Sequence, residues 1–488
     1  MLSVRWYGSG SKDAKGPLVV MLHWLGGSAG TWAEVGEGLA ARGLRPVGID
    51  LPGFGRAVDE PGYSVHQMAT AVRATIRGLR ADELDAPWLL MGHSMGGKVA
   101  AVLARAATLP NVKGLQGLAG LVLVSPSPPG PEPMKDAKRS HLLDSLGLST
   151  GNAEEDRDRA IGFLNDNTGK LALEAAVRER AAEDILRMNR AAFTHWLEHG
   201  SKEDWSERVG VLPQPALVFA GTEDGSLGPE AQREHTLPHF ASAELVTLQA
   251  AGHLGPLERP ALLVERIVAF AETLELPLIA PERELSVGFR ALMESARTSP
   301  QTRAVMTARM APVVATASAF TAEQLGTLRV LVECVLPQPG FDLVARLVRL
   351  LEQGAGDGWR FADLPADSEA WRTGLASLDA AAEREHGVEF LALSAAMQRE
   401  LLLAAQHGEL GARGLLGSLG IGSARTLFNA QQMQRWFEDA RATLARLYTA
   451  DPRTMDRIGF HGFADDAGFT RIQLHQQLAD AEREEVLA

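Results

Sequence analysis

The run Leu89-Leu90-Met91-Gly92-His93-Ser94-Met95-Gly96-Gly97 constrains this chain more than any other stretch, because an apolar strand runs directly into a Gly-x-Ser-x-Gly turn. A turn that sharp between strand and helix needs small residues around the serine, and Gly92 and Gly96 supply them. The serine is then raised above the sheet edge with little bulk around it, which nominates Ser94 as a nucleophile. The helix expected from Met95 through Lys98 and Val99 aims its first amides at the same place, where they favour an oxyanion. The motif also occurs in ordinary loops, so its weight depends on the rest of the chain.

Upstream, Pro17-Leu18-Val19-Val20-Met21-Leu22-His23 reads as a buried strand leading into Trp24-Leu25-Gly26-Gly27, and Arg45-Pro46-Val47-Gly48-Ile49-Asp50 as a second. Downstream, Leu118 to Ser125 gives another strand. Ala216 to Ala220 leads into Gly221-Thr222-Glu223-Asp224, and Leu245 to Leu248 into Ala251-Gly252-His253-Leu254. Continuous apolar strands alternating with helical segments imply a parallel sheet covered on both faces. In such a sheet the loops after the strands share one edge, so Ser94, Asp224 and His253 can converge although distant in sequence.

Residues 1–274 resemble an α/β-hydrolase, with nucleophile, acid and histidine in that family's chain order. The resemblance implies an α/β fold: a doubly wound, mostly parallel sheet with a helical cap. By the same resemblance Ser94 is the nucleophile, His253 the general base, and Asp224 the carboxylate that fixes the imidazole tautomer. Glu223 is the alternative acid, although the Gly-x-x-Asp spacing favours Asp224. The oxyanion amides are expected from Leu25 and Met95. Trp24 departs from the family pattern, standing where a glycine is usual; it either packs beneath the loop or contributes to the acyl pocket. His93 reads as packing under the turn. His235 and His239 lie four apart, as metal ligands sometimes do, but no carboxylate or cysteine at a suitable spacing joins them, so a solvated helix face is expected and no metal.

Between two of the strands the chain inserts residues 126–215, which are helical in character. Ala153 to Leu164 and Leu171 to Trp196 carry apolar residues at helical spacing, and the prolines at 126, 128, 129, 131 and 133 mark an irregular exit from the sheet. In the family such an insertion caps the active site. Met134, Phe163, Phe193 and Trp196, with Leu142, Leu143 and Leu146, are candidate pocket walls, alongside Trp24 and His93; cap core is the plainer role for each. An apolar cap points to a small or medium acyl or aryl substrate.

At 488 residues the chain exceeds one typical core, and 45% hydrophobic with 22% charged residues is globular composition. A net charge of −13 disfavours nucleic acid or an anionic membrane as a general partner. The start lacks an apolar signal run and no stretch is long enough to span a bilayer, so a cytoplasmic protein is expected. The single cysteine, Cys334, excludes an internal disulfide and reads as a buried small apolar residue. Nothing in the chain calls for a cofactor.

Character changes near Leu276 to Glu282, where prolines at 277 and 281 follow the last hydrolase-type helix. Residues 275–317 read as a helical linker region and 318–488 as an all-α domain. Helical periodicity runs through Gln324 to Leu336, Leu343 to Glu352, Trp371 to His386, Ser394 to Ala405 and Ala430 to Tyr448. Thr321 with Gln324 makes a capping box, Ser394 caps another start, and Pro337, Pro339 and Gly340 punctuate the first helix's end. Trp359, Trp371, Phe390, Trp436, Phe437 and Tyr448 read as core. Phe320-Thr321-Ala322-Glu323-Gln324, Trp371-Arg372-Thr373-Gly374-Leu375, Phe390-Leu391-Ala392-Leu393-Ser394 and Trp436-Phe437 on to Gly459-Phe460-His461-Gly462-Phe463 resemble the gluconate 2-dehydrogenase subunit 3 family. That resemblance, over about 318–476, implies a helical accessory subunit that accompanies a glucose-methanol-choline type flavoprotein dehydrogenase. The flavin would sit in the partner.

Three readings follow. One is a serine hydrolase acting on a carboxylic ester or lactone, with the helical domain as a docking or oligomerisation module. Another is an accessory subunit of a flavoprotein dehydrogenase that retains the hydrolase fold as scaffold, against which the intact Ser94, Asp224 and His253 set weighs. A third keeps the serine but cleaves a carbon-carbon bond or supports perhydrolysis, a difference that lies in the pocket and not in the fold.

Overall fold

The computed structural model describes residues 1–8, 15–83, 86–109, 111–146, 149–278, 284–295, 297–311, 313, 320–336, 340–354, 361–410, 427–460 and 462–463. Trp359, Pro337, Pro339, His461 and residues 279–281 of the proline-marked boundary lie outside the described residues. By contacts the chain forms two compact units, Met1–Pro281 with Asp379–Glu400, and Glu282–Leu378 with Leu401–Ala488.

In the first unit seven strands form one sheet in the order β1-β3-β2-β4-β5-β6-β7: β1 (Val4–Trp6), β2 (Leu18–Leu22), β3 (Arg45–Ile49), β4 (Trp88–His93), β5 (Leu118–Val124), β6 (Ala216–Gly221) and β7 (Ala243–Leu248). Neighbours from β3 to β7 pair in parallel, so their C-terminal ends share one edge. β2, β3, β4 and β6 are buried along their whole length, which is why they read as unbroken apolar runs. Strand β1 was not foreseen. It is three residues long, contains exposed Arg5, and pairs antiparallel with β3 at the sheet edge, Val4 opposite Ile49.

Helices α1 (Ala33–Ala41), α2 (Val65–Leu79) and α3 (Met95–Ala107) alternate with the strands. The insertion folds as α4 (Asp136–Leu146), α5 (Ala153–Asn167), α6 (Ala175–Arg187), α7 (Arg190–Glu198) and the single turn α8 (Ser206–Val209). The helix expected from Leu171 to Trp196 is thus two helices. Met188 takes an extended backbone (φ −56°, ψ 149°), and the Asn189 side chain accepts the Ala191 N–H, starting α7 afresh. The apolar spacing runs through this break and hides it. Short helices α9 (Pro229–His235) and α10 (Gly255–Glu258), then α11 (Pro260–Thr273), complete the sheet's cover.

The remaining helices are α12 (Val287–Glu294), α13 (Pro300–Met310), α14 (Ala322–Val335), α15 (Leu343–Glu352), α16 (Asp367–His386), α17 (Ala395–Gln406), α18 (Ala430–Thr449) and α19 (Pro452–Arg457). Among the described residues this part holds no strand, in keeping with the all-α reading. Thr321 and Gln324 form the expected capping box, and Asn429 with Gln432 forms another. In the second unit Trp371 meets Trp436 edge to face at 5.8 Å. A Cβ on Gly374 would lie 2.1 Å from Trp436 Cε2, so only glycine lets that indole seat. Asp451, fully buried, is held by Arg453 and by Arg346 Nη2 at 2.9 Å. Cys334 corrects an expectation: α14 turns Leu328, Leu331 and Val332 inward, leaving Cys334 partly exposed on its flank. No described helix is long and apolar enough to cross a membrane.

Candidate active site

Ser94 sits at the junction of β4 and α3 with φ 51° and ψ −117°, a conformation costly for any residue with a Cβ. The turn closes because its glycines are bare. A Cβ on Gly92 would lie 2.5 Å from the Gly96 carbonyl oxygen, and one on Gly96 would lie 2.6 Å from that of Leu22. The strained turn is fixed to the sheet by Ser94 N–H donating to Val124 O at 3.0 Å and by Ser127 N–H donating to Ser94 O at 3.0 Å. The atoms such a Cβ would meet, the carbonyl oxygens of Leu22 at 2.6 Å and His23 at 2.7 Å, are backbone, so Gly96→Ala is expected to destabilise the protein by about 2 kcal/mol. A urea midpoint unchanged by that substitution would contradict this account of the turn.

Asp224 follows β6 and His253 follows β7, at the sheet edge where Ser94 stands. Asp224 Oδ1 accepts the N–H groups of Ser226 (3.1 Å) and Leu227 (3.0 Å), which turns Oδ2 toward His253 Nδ1 at 2.7 Å. Burial pushes the Asp224 carboxyl up, but the His253 charge and hydrogen bond and the two amides outweigh it and hold it well below the usual carboxylate range. An ionised Asp224 can only accept, so Nδ1 carries the proton and Nε2 the lone pair. Glu223 faces the other way, 3.2 Å from Lys170 Nζ. Of the two acids the sequence offered, the structure brings Asp224 to the histidine.

The histidine loop is anchored by a carboxylate that sequence reading missed. Glu258 accepts N–H groups from Gly252 (3.0 Å) and Leu254 (3.1 Å), the neighbours of His253, and from Gly169 of the insertion (2.7 Å). His253 N–H itself donates to Asn167 O at 2.8 Å. The only signal in sequence is an acid five residues after the histidine, which reads as an exposed charge. His93 lies beneath: fully buried, with Nε2 2.7 Å from the His253 carbonyl oxygen and ring centroids 5.2 Å apart. Burial above all, then the charge of His253, keeps the His93 pKa well below its ordinary value. A carbonyl can only accept, so neutral His93 donates from Nε2 and props the loop.

Leu25 lies in the turn after β2, closed by Gly27 N–H donating to Trp24 O at 3.1 Å, with Gly26 at φ 89°. Met95 is the first residue of α3, where amides have no acceptor within the helix. Trp24 stacks on Phe163 (5.6 Å, 18° between planes), and Phe163 meets Phe193 edge to face. Around Gly26 stand Phe163, Ile185 and Met188, 3.4–3.8 Å from where a Cβ would be. Ile185 and Met188 were not among the expected pocket residues. Phe193 and Trp196 are almost wholly buried and belong to the packed core, while Met134 is partly exposed on its margin. His235 ends α9 and His239 lies in the turn beyond it, with Nδ1 2.9 Å from Gly210 O, so the two share no helix face; among the described residues no metal-binding cluster occurs.

Lys98, one turn into α3, is completely buried, with Nζ donating to Glu203 O at 2.9 Å and lying 5.9 Å from the Trp196 ring. Burial pushes its pKa down to about 8. The unfolded chain therefore holds this proton more tightly, and stability rises with pH from about 8 toward the ordinary lysine value. Lys98→Met should abolish that rise in a comparison of urea midpoints at pH 8 and 10. A wild-type difference surviving in the variant would assign it elsewhere.

Residues 19–266 match the model of the alpha/beta hydrolase family, over half of the chain. The chain belongs to the alpha/beta hydrolase family. Residues 322–462 match a second model, gluconate 2-dehydrogenase subunit 3. Among curated relatives, pimeloyl-[acyl-carrier protein] methyl ester esterase from Yersinia pseudotuberculosis is 30% identical over 289 residues, covering 56% of this chain and 98% of the relative. Protein phosphatase methylesterase 1 from Mus musculus is 36% identical over 114 residues, 23% of this chain and only 28% of the relative's length. An esterase from Exiguobacterium antarcticum of known structure is 20% identical, with TM-score 0.45 over 56% of this chain and 95% of its own. Hydrolase membership is therefore established for the first unit's sheet and turn, with esterase-like relatives.

Proposed function

We propose that this alpha/beta hydrolase cleaves a carboxylic ester or lactone through an acyl-enzyme, with Ser94 as nucleophile, His253 as base and Asp224 as its orienting acid. The observation that carries the reading is the 2.7 Å hydrogen bond from His253 Nδ1 to Asp224 Oδ2, at the edge where Ser94 is held in a strained turn. It leaves Nε2 unprotonated to take the serine proton, and later to deliver it to the leaving alkoxide. Amides of Leu25 and Met95 would stabilise the oxyanion. Trp24 and Phe163, stacked and almost wholly buried beside the Leu25 turn, would form apolar backing for an acyl group of small to medium size. A panel of p-nitrophenyl esters of increasing acyl length tests this: kcat/KM should peak at short to medium chains, and no turnover of any ester or lactone would defeat the reading.

The subunit 3 match supports a second element of function. The helical region would dock a flavoprotein dehydrogenase that oxidises a sugar to a lactone, and the attached hydrolase would open that lactone. Ring opening would draw the oxidation forward. The boundary near 275–281 is proposed as the domain junction, with the helical part, apart from Asp379–Glu400, a module of its own. A fragment of residues 1–281 should keep esterase activity yet melt lower, because Asp379–Glu400 clusters with the first unit. Failure to recover a flavin-containing partner from the native cell, with no activity on aldonolactones, would remove the coupled reading and leave the hydrolase.

A further inference from the structure

Helix α9 is the run Pro229-Glu230-Ala231-Gln232-Arg233-Glu234-His235, in which Gln232 reads as one more solvent-facing polar residue. It is instead wholly buried. Taking a primary amide out of water is unfavourable unless its groups find partners, and here only the nitrogen end finds them. Gln232 Nε2 donates to Leu227 O at 2.8 Å and to Pro126 O at 3.1 Å, while Oε1 meets no donor among the described residues. Both acceptors are backbone carbonyls, which fixes the amide's orientation: turned over, it would set an oxygen against two oxygens.

Those two carbonyls belong to the turns that the proposed chemistry must hold in register. Leu227 N–H donates to Asp224 Oδ1 at 3.0 Å, one of the contacts that turn Oδ2 toward His253. Pro126 precedes Ser127, whose N–H donates to the Ser94 carbonyl at 3.0 Å. The chain reaches Pro126 from β5 through Ser125, fully buried and at φ 38°, a strained conformation for a residue with a Cβ. Pro126 is also pressed against α3, since a Cβ on Gly97 would lie 2.5 Å from the proline Cβ. One amide thus spans from the acid's turn to the serine's turn. An apolar side chain of the same length would fill the space and hold neither.

We infer that Gln232 is a positioning residue, its amide fixing the Asp224 turn against the Ser94 turn so that base and nucleophile meet in alignment. The inference rests on the reading of Ser94, His253 and Asp224 as nucleophile, base and acid. A misplacement of about 1 Å in such a constellation costs on the order of a hundredfold in rate. Labelling of the full chain by a fluorophosphonate tests it, because the rate reports the activation of Ser94 whatever the substrate is. Gln232→Met keeps the length and removes both donors; its maximal labelling rate should fall at least tenfold, with the half-saturating probe concentration within twofold of wild type. In the Asp224→Asn background, where Nε2 is protonated and alignment no longer counts, Gln232→Met should cost less than threefold more, whereas general damage to packing would multiply. Gln232→Asn, a methylene too short to reach both carbonyls, should fall between wild type and Gln232→Met, and carries the test if the methionine variant does not fold. A wild-type labelling rate in either variant, a loss confined to probe binding, or full multiplication of the two losses would overturn the inference while Ser94 keeps its role. Wild-type protein that resists the probe as Ser94→Ala does would overturn the triad reading and this inference with it.

Discussion

Ser94→Ala is expected to lower kcat on a p-nitrophenyl acyl ester on the order of a millionfold, the scale on which removing the nucleophile acts in serine hydrolases. The loss should be confined to chemistry. Ser94 holds the sheet through backbone groups, its N–H on Val124 O and its carbonyl on Ser127 N–H, and alanine preserves both. The unfavourable φ of 51° is shared by any residue with a Cβ, so alanine adds no new backbone strain. Circular dichroism and melting temperature should match wild type, and KM should move little. Activity above a few per cent of wild type would refute Ser94 as nucleophile.

Asp224→Asn is expected to cost about ten-thousandfold in kcat, as the equivalent change does in Ser-His-Asp enzymes. The Asn carbonyl can keep the Ser226 and Leu227 amides, which leaves its NH2 group facing His253 Nδ1. A donor there makes Nδ1 the acceptor and moves the ring proton to Nε2, where the lone pair is needed. Stability should change in a pH-dependent way. The folded Asp224 carboxyl ionises well below the ordinary value, so its contribution is present above the unfolded carboxylate range and lost as pH falls through the folded value. The difference in urea midpoint between wild type and Asp224→Asn should therefore be full at neutral pH and shrink below about pH 4. If Asp224→Asn were silent while Glu223→Gln was damaging, the acids would exchange roles, and the outward Glu223–Lys170 pair would need another purpose.

How far sequence reaches here depends on whether a residue's partner is near it in the chain. The serine turn was readable because its strain is met locally, by Gly92 and Gly96. The parallel strands β2, β3, β4 and β6 were readable because burial on both faces leaves largely apolar runs. Strand β1 was not, since the alternation of Val4, Arg5 and Trp6 is too short to stand out, and its pairing with β3 spans more than forty positions. Met188 looked like part of a continuous apolar helix face; its extended backbone is set by Asn189 starting a new helix. Ile185 beside Gly26, and Glu258 beneath the histidine loop, became visible only when distant segments were brought together. Position along the chain says nothing about either.

Glu258 joins two pieces of chain that have different tasks. Three of its acceptor contacts go to Gly252, Leu254 and Gly169, and the Asn167 carbonyl takes the His253 N–H. The roof segment 167–169 and the histidine thus share one keystone, with no slack between them. A substitution that shifts either stretch therefore reaches the other, and the placing of the imidazole is shared between two segments more than eighty positions apart.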